Sequence, residues 1–377
     1  MTQTNEIHNA DSMKAQCPTL FFELIRIALG RQETFSHQPS EEDWHELYAE
    51  AKQQTLLGVL YDGVCRLSAD QKPPRQLLIN WHASVQKIIC DNKRLNHDTV
   101  WVSRRWEKLG YRNIILKGQG NAQLYPDPML RVPGDIDIWL DGDRRKIANY
   151  VRSHFPGLEV TRIEMEFPVR KDTPIEIHFL PSFLYDPFKD RKIQRYFTRQ
   201  LASPKQVELP EEGTICVPGD EMNLVFQLSH IYRHLFYEGI GLRQLMDYYF
   251  LCTNLLSTGS DDLRQKALSV IQEIGLTDFC RALMWVLGEV FLMPKEHMLT
   301  LPDERRGRFL LGEVMRAGNF GHADDRVGNW AEMSRWQRLT WGTRWSWRLL
   351  GQYPREVFWH PYYRVTQYIW RLYNGYL

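Results

Sequence analysis

Leu116-Lys117-Gly118-Gln119-Gly120 is followed by Arg131-Val132-Pro133-Gly134-Asp135-Ile136-Asp137-Ile138. The run Asp135–Leu140 is predicted as a strand. Strand side chains alternate faces, so Asp135 and Asp137 point the same way, with Cα atoms about 6.6 Å apart. Two carboxylates aimed into one space repel unless a cation neutralises them. Mg²⁺ takes oxygen ligands and accepts phosphate oxygens as further partners; Mn²⁺ is the alternative. Lys117-Gly118, just before an expected helix start, supplies backbone N–H groups and a point charge, both suited to phosphate.

Around this stretch the chain shows a change of texture. Asn113–Lys117 is a short β-branched run. Asn121–Tyr125 holds one or two helical turns before Pro126, and Pro128 and Pro133 frame a loop. Asp143–Phe155 reads as a helix, and Leu158–Val169 spaces apolar residues with polar ones. Ile175, Ile177 and Phe179 alternate with Glu176 and His178, which puts the two polar residues on one face. Strand, helix, strand, helix, strand, strand describes a small mixed sheet.

Residues 1–105 are expected to be helical. Leu20–Leu29 ends at Gly30, a suitable C-cap. Ser40 with Asp43 forms a capping box leading into Trp44–Gly58, and Leu77–Trp106 has helical spacing. After Pro218-Gly219-Asp220 the pattern is helical again, with Leu224, Leu228, Ile231 and Leu235 on one face. The expected organisation is therefore a helical region 1–105, an α/β core 106–218 and a helical region 219–377. The fold class is α+β.

Composition limits the alternatives. The 377 residues are 43% hydrophobic, enough for a sizeable core. With 47 basic and 46 acidic residues, whole-chain charge gives no argument for nucleic acid, though a local patch still counts. The six cysteines, Cys17, Cys65, Cys90, Cys216, Cys252 and Cys280, are scattered without CxxC or zinc spacing, which points to reduced, mostly buried thiols. Met1–Lys14 is polar and lacks the apolar block of a signal peptide. Ala282–Met293, the longest apolar stretch, contains Glu289 and falls short of the roughly 20 residues that span a bilayer. The expected location is cytoplasmic.

The residues LKG, LYPDP, LR, GDIDIW and IEIH together resemble the bacterial uncharacterised nucleotidyltransferases of the DNA polymerase β superfamily. The likeness is strongest over residues 110–180 and extends to His230, His234 and the GLRQLMD run. It implies a polymerase β-like core that moves a nucleoside monophosphate from a metal-bound NTP, ATP among the candidates, onto a hydroxyl acceptor. It implies Asp135, Asp137 and Glu176 as metal-binding and catalytic carboxylates, and Glu176 as a group that takes the hydroxyl proton. It implies Lys117, Gly118, Arg131 and Gly134 at the triphosphate. The phosphate turn here is Lys-Gly where most of the superfamily has Gly-Ser, so a hydroxyl is missing. Such chemistry relies on positioning and charge, with two ions about 4 Å apart flanking the reacting oxygens.

Each element also has a plainer reading. Paired acids on an edge strand often only solubilise it. His178 either orients Glu176, contacts the acceptor or is exposed. His230 and His234, four apart on one helical side, are structural histidines or contacts to nucleotide or acceptor. Arg243 and Asp247 form an ordinary intrahelical pair or help close the site.

The tail from Arg335 to Leu377 interleaves Arg335, Arg338, Arg344, Arg348, Arg355, Arg364 and Arg371 with Trp336, Trp341, Trp345, Trp347, Trp359 and Trp370, and has one acid, Glu356. Aromatic stripes at helical spacing favour a packed helix over one lying on an anionic membrane surface. Beside the enzyme stand two further readings: a nucleotide-binding scaffold without turnover, and a nucleotidyltransferase that modifies a partner protein as an antitoxin does.

Overall fold

The computed structural model describes residues 19–237, 239–256, 260–318 and 346–376. A first helix, α1, covers residues 19–28 and stops before Gly30, whose φ of +66° fits the C-cap role. Helix α2 (Glu41–Gln53) starts at Ser40, whose side chain accepts from the Asp43 N–H while the Asp43 carboxylate accepts from the Ser40 N–H. The expected helix Trp44–Gly58 is broken at Thr55, which has φ +54°, and resumes as α3 (Leu57–Arg66). Helix α4 (Arg75–Lys108) then crosses the molecule and buries Trp81 and Trp106 along one side.

The sheet has four strands, β1 (Arg112–Leu116), β2 (Ile136–Asp141), β3 (Glu164–Glu166) and β4 (Ile175–His178), in the order β1-β2-β4-β3. β2 runs antiparallel to β1 and parallel to β4, with helix α6 (Arg144–His154) in the connection, and β3 is antiparallel to β4. The register sets Asp137 beside Glu176 and Trp139 beside His178. Across β3 and β4, Glu164 faces His178 and Glu166 faces Glu176.

Alternation then sorts the two faces. Ile136, Ile138, Met165, Ile175 and Ile177 join Trp106, Ile147 and Val151 in one core. Ile114, Leu116 and Trp139 lie in a second, larger core shared with the helices on the other side. Asp137, Glu176, His178 and Glu164 belong to that second face. The expected alternation of Ile175–Phe179 is therefore borne out. A hairpin, β5 (Lys205–Leu209) and β6 (Gly213–Val217), packs beside β1, and sequence patterning missed it.

Helix α7 (Pro187–Gln200) precedes the hairpin. Helices α8 (Asp220–Tyr237), α9 (Leu242–Leu255), α10 (Asp261–Glu273), α11 (Thr277–Phe291) and α12 (Glu304–Ala317) follow it. The fold is thus α+β, a small mixed sheet flanked by helices, as expected. Among the described residues no helix is long and apolar enough to cross a membrane. Cys65 and Cys90 are exposed on α3 and α4, whereas Cys252 and Cys280 are buried, so the expectation of mostly buried thiols holds for only part of the set. Each exposed thiol falls on the outer side of an amphipathic helix.

Arg335, Arg338, Arg344, Trp336, Trp341 and Trp345 lie outside the described residues. The last helix, Pro354–Asn374, packs only one face. Glu356, Val357 and His360 are buried, and the Tyr363 ring stacks on Phe183 at 4.6 Å. Phe358, Tyr362, Val365, Ile369 and Leu372 are exposed on the opposite face. A helix lying on the surface covers its aromatics on one side only, so packing accounts for half of the stripe.

Glu356 fastens this helix to the loop after β4 by accepting from the Tyr185 and Asp186 N–H groups, each at 3.0 Å. Burial pushes its pKa up to about 7, with the nearby Asp186 carboxylate adding to the rise. The Lys189 ammonium opposes the rise. The folded chain therefore holds a proton there that the unfolded chain has released above the ordinary 4.5. Stability should fall as pH rises from about 5 to about 7, by on the order of 3 kcal/mol. Urea unfolding across that range checks this, and Glu356→Gln should flatten the dependence.

Gly58 on α3 touches the loop before β2 directly. A Cβ there would sit 2.1 Å from the Leu130 carbonyl oxygen. Gly58→Ala should cost about 1–3 kcal/mol, as overpacking against backbone does. Unchanged stability in denaturant melts would contradict that contact.

Candidate active site

Strand β1 ends at Leu116, opposite Asp137, and the chain turns at once. Lys117 has φ +54° and ψ −134°, a conformation that strains any residue with a Cβ. Gly118, at φ +46°, follows and lies against the Asp135 carbonyl oxygen. The helix it opens, α5 (Gly118–Ala122), is barely more than one turn. The unusual backbone sends the Lys117 ammonium back over the sheet. There its Nζ lies 2.8 Å from Asp137 Oδ2 and donates to His230 Nε2 at 3.1 Å.

Asp137 is 2% exposed. His178 Nε2 donates to its other oxygen, Oδ1, at 2.6 Å. Burial alone would raise the Asp137 pKa, but the Lys117 ammonium and the His178 ring hold it well below the usual carboxylate range. The same contact works in reverse on His178. Burial would lower its pKa, and the Asp137 carboxylate, with Glu176 and Glu164 behind it, raises it well above the ordinary value. His230 is also buried, and burial with the adjacent Lys117 charge keeps it neutral, as an acceptor for Lys117 must be.

Glu176 Oε2 is 3.7 Å from His178 Nε2 and Glu164 Oε2 is 3.6 Å from His178 Nδ1. The His178 contact lowers the Glu176 pKa, but burial and the Glu164, Asp137 and Asp135 carboxylates together raise it. Asp137, Glu176 and His178 each offer a ligand atom within 4.8 Å of the others. Within this site Glu164 Oε2 and His178 Nδ1 are buried without a hydrogen-bond partner. The two carboxylates are the hard oxygen donors that Mg²⁺ or Mn²⁺ prefers. The donor set fits such an ion once Lys117 and His178 give up part of their hold on Asp137. Asp135 stands just ahead of β2, half-buried, outside that trio but close enough to raise Glu176.

Several expectations need correction. Arg131 is engaged elsewhere than on the Asp137–Glu176–His178 trio, although the Asp135 carboxylate is near enough to add to the rise in its pKa. It is 3% exposed and grips Asp247 through Nε–Oδ1 and Nη2–Oδ2, both 2.8 Å. Tyr125 donates to the same Asp247 oxygen at 2.6 Å. Asp247 therefore pairs across to Arg131 rather than forming the expected intrahelical pair with Arg243, because a guanidinium fork matches both carboxylate oxygens at once. Arg243 instead donates to the Val132 carbonyl at 3.2 Å and lies beside Gly134. Both arginines fix the loop leading to Asp135.

His178 is buried and ion-paired, neither exposed nor merely a support for Glu176. His230 joins the site through Lys117, and the His234 ring lies 4.3 Å from that of His230. Glu164 and Arg233, whose guanidinium is 3.8 Å from Glu164, were missed. The alternation Glu164-Met165-Glu166-Phe167 carries the same acid–apolar signal as DIDI and IEIH.

The acids Asp137 and Glu176 thus meet on a mixed sheet beside a lysine-bearing turn. The chain belongs to the uncharacterised nucleotidyltransferase family, whose model matches residues 40–292. Among solved structures it is similar to the crystal structure of an antigenic nucleotidyltransferase-like protein from Paracoccidioides brasiliensis. Identity is 13% and the TM-score 0.29, over 57% of this chain and 96% of that chain. No curated protein matches.

The Arg131–Asp247 pair makes a sharp prediction. Asp247→Ala leaves a buried guanidinium uncompensated and should cost about 3–5 kcal/mol. Chemical denaturation measures it, and a loss below about 1 kcal/mol would show that the pair does not anchor the loop.

Proposed function

We propose that the protein transfers a nucleoside monophosphate from an NTP to a hydroxyl acceptor at the face formed by Asp137, Glu176 and Asp135. The observation that carries this reading is the register pairing of Asp137 with Glu176, which brings carboxylates from neighbouring strands into one space. A divalent ion, Mg²⁺ or Mn²⁺, held by these carboxylates would neutralise the triphosphate charge and polarise the reacting phosphorus. The acceptor oxygen forms a bond to the α-phosphorus while the bond to the bridging oxygen breaks. Pyrophosphate leaves with that electron pair.

Glu176 is the proton acceptor of choice. It is the more exposed of the paired acids, and its raised pKa suits it to receive the hydroxyl proton. Lys117 supplies the cation nearest the cluster and can shift from Asp137 to phosphate oxygens, standing in for the absent serine hydroxyl. His178 keeps Asp137 ionised and fixed. Arg131, Gly134 and Arg243 act at a remove, by holding the loop that delivers Asp135.

One observation favours a second reading. Asp137 already has a cation on each oxygen, which suits a protein that binds nucleotide without turning it over. Incubation with labelled NTPs and Mg²⁺ or Mn²⁺ across hydroxyl acceptors separates the two. Transfer should occur, and Glu176→Gln should slow it by about 10²–10⁴-fold. Transfer unaffected by Glu176→Gln combined with Asp137→Asn would remove the mechanism. Nucleotide binding with no pyrophosphate release would support the second reading.

A further inference from the structure

A second site lies beside the first. Helix α7 carries Arg191, Arg195 and Arg199 at intervals of four, so their guanidinium groups run down one side over about 12 Å. All three are exposed. Among the described residues none of them has a carboxylate partner, whereas Lys192 on the same helix reaches Glu273. They line a cavity of about 790 Å³, closed on its other side by Tyr362 and Tyr363 of the last helix. Arg162 completes the lining, 3.9 Å from Asp190, the one acid present. The Asp190 carboxylate is already engaged by the Leu184 N–H and the Gln194 amide. Four arginines therefore face a single, occupied carboxylate.

The volume is that of a ligand site, and the arrangement of charge narrows the ligand. One phosphate needs one or two arginine forks. A row of three, stepped by about 6 Å, suits phosphates repeated along a chain. Tyr362, half-exposed at the rim, offers a ring face of the kind on which bases stack. The groove is also near the acid cluster. Arg162 precedes Glu164 by two residues, at most about 7 Å of chain, and Glu164 contacts His178. Arg233 bridges the two regions, lying over the Phe183 ring that stacks on Tyr363 and 3.8 Å from Glu164.

We propose that this groove binds a single-stranded polynucleotide, gripping its phosphates with α7 and stacking a base on Tyr362. Calling that strand the acceptor rests on the nucleotidyl-transfer reading; its binding does not. The test is fluorescence anisotropy of a short labelled oligouridylate with the full chain, at low salt and without NTP. The unaltered protein should bind. Joint Arg191→Gln, Arg195→Gln and Arg199→Gln should weaken binding at least about tenfold and make the salt slope shallower by about two. Tyr362→Ala should weaken it by roughly fivefold or more. Absence of binding, or equal affinity in the triple variant, overturns the groove. Full displacement by inorganic tripolyphosphate at matched phosphate concentration, with Tyr362→Ala silent, overturns the polynucleotide assignment. Asp137→Asn should bind the oligonucleotide as tightly as the unaltered chain, so the transfer reading can fail while the groove stands, and the reverse.

Discussion

An ionised carboxylate at 2% exposure survives only if cations and hydrogen bonds replace its lost hydration. For Asp137 they come from two directions along the chain. Lys117 reaches it from the turn after β1, and His178 from the end of β4. Lys117 in turn needs a neutral acceptor, and α8 provides it in His230. One buried negative charge thus links three elements that are distant in sequence. It ties the sheet to the helical layer above it and holds the His178 ring, against which Glu176 and Glu164 lie at 3.7 and 3.6 Å.

The second organising contact is Arg131 with Asp247. It belongs to a loop that has little secondary structure of its own and is held by its surroundings. Gly58 lets α3 approach the Leu130 carbonyl, and the Asn92 amide on α4 donates to the Met129 and Arg131 carbonyls at 2.8 and 2.9 Å. Arg243 and Asp247 on α9 complete the enclosure. Helices from both ends of the chain therefore converge on the few residues that lead into Asp135. Strand β2 is only as well placed as this loop.

The parts of the fold set by local pattern were legible in the sequence. Alternation in Ile175–Phe179 fixed the faces of β4, and Ser40 with Asp43 marked the start of α2. The family resemblance pointed to the sheet that carries Asp137 and Glu176, two acids that the structure brings together with His178. Contacts between distant segments were not legible. Arg131 reads as a phosphate ligand until Asp247 is known to face it. His178 has three equal readings until the register sets Asp137 beside its strand. The groove on α7 escaped because its arginines look like an ordinary solvated helix face; only the position of the last helix turns them into a lining. The last helix was legible only in part, since a stripe at helical spacing does not say how much of its circumference a neighbour will cover.

Lys117 also sets backbone strain against the compensation of a buried charge. A lysine at φ +54° carries a conformational cost on the order of 1–3 kcal/mol that glycine would avoid. Glycine would relieve that backbone strain but would leave the turn without an ammonium. The ammonium, however, is what compensates Asp137. The chain accepts local backbone strain so that one positive charge stands beside the acids. A substitution that relaxed the turn would exchange backbone strain for an uncompensated buried carboxylate, in a single residue.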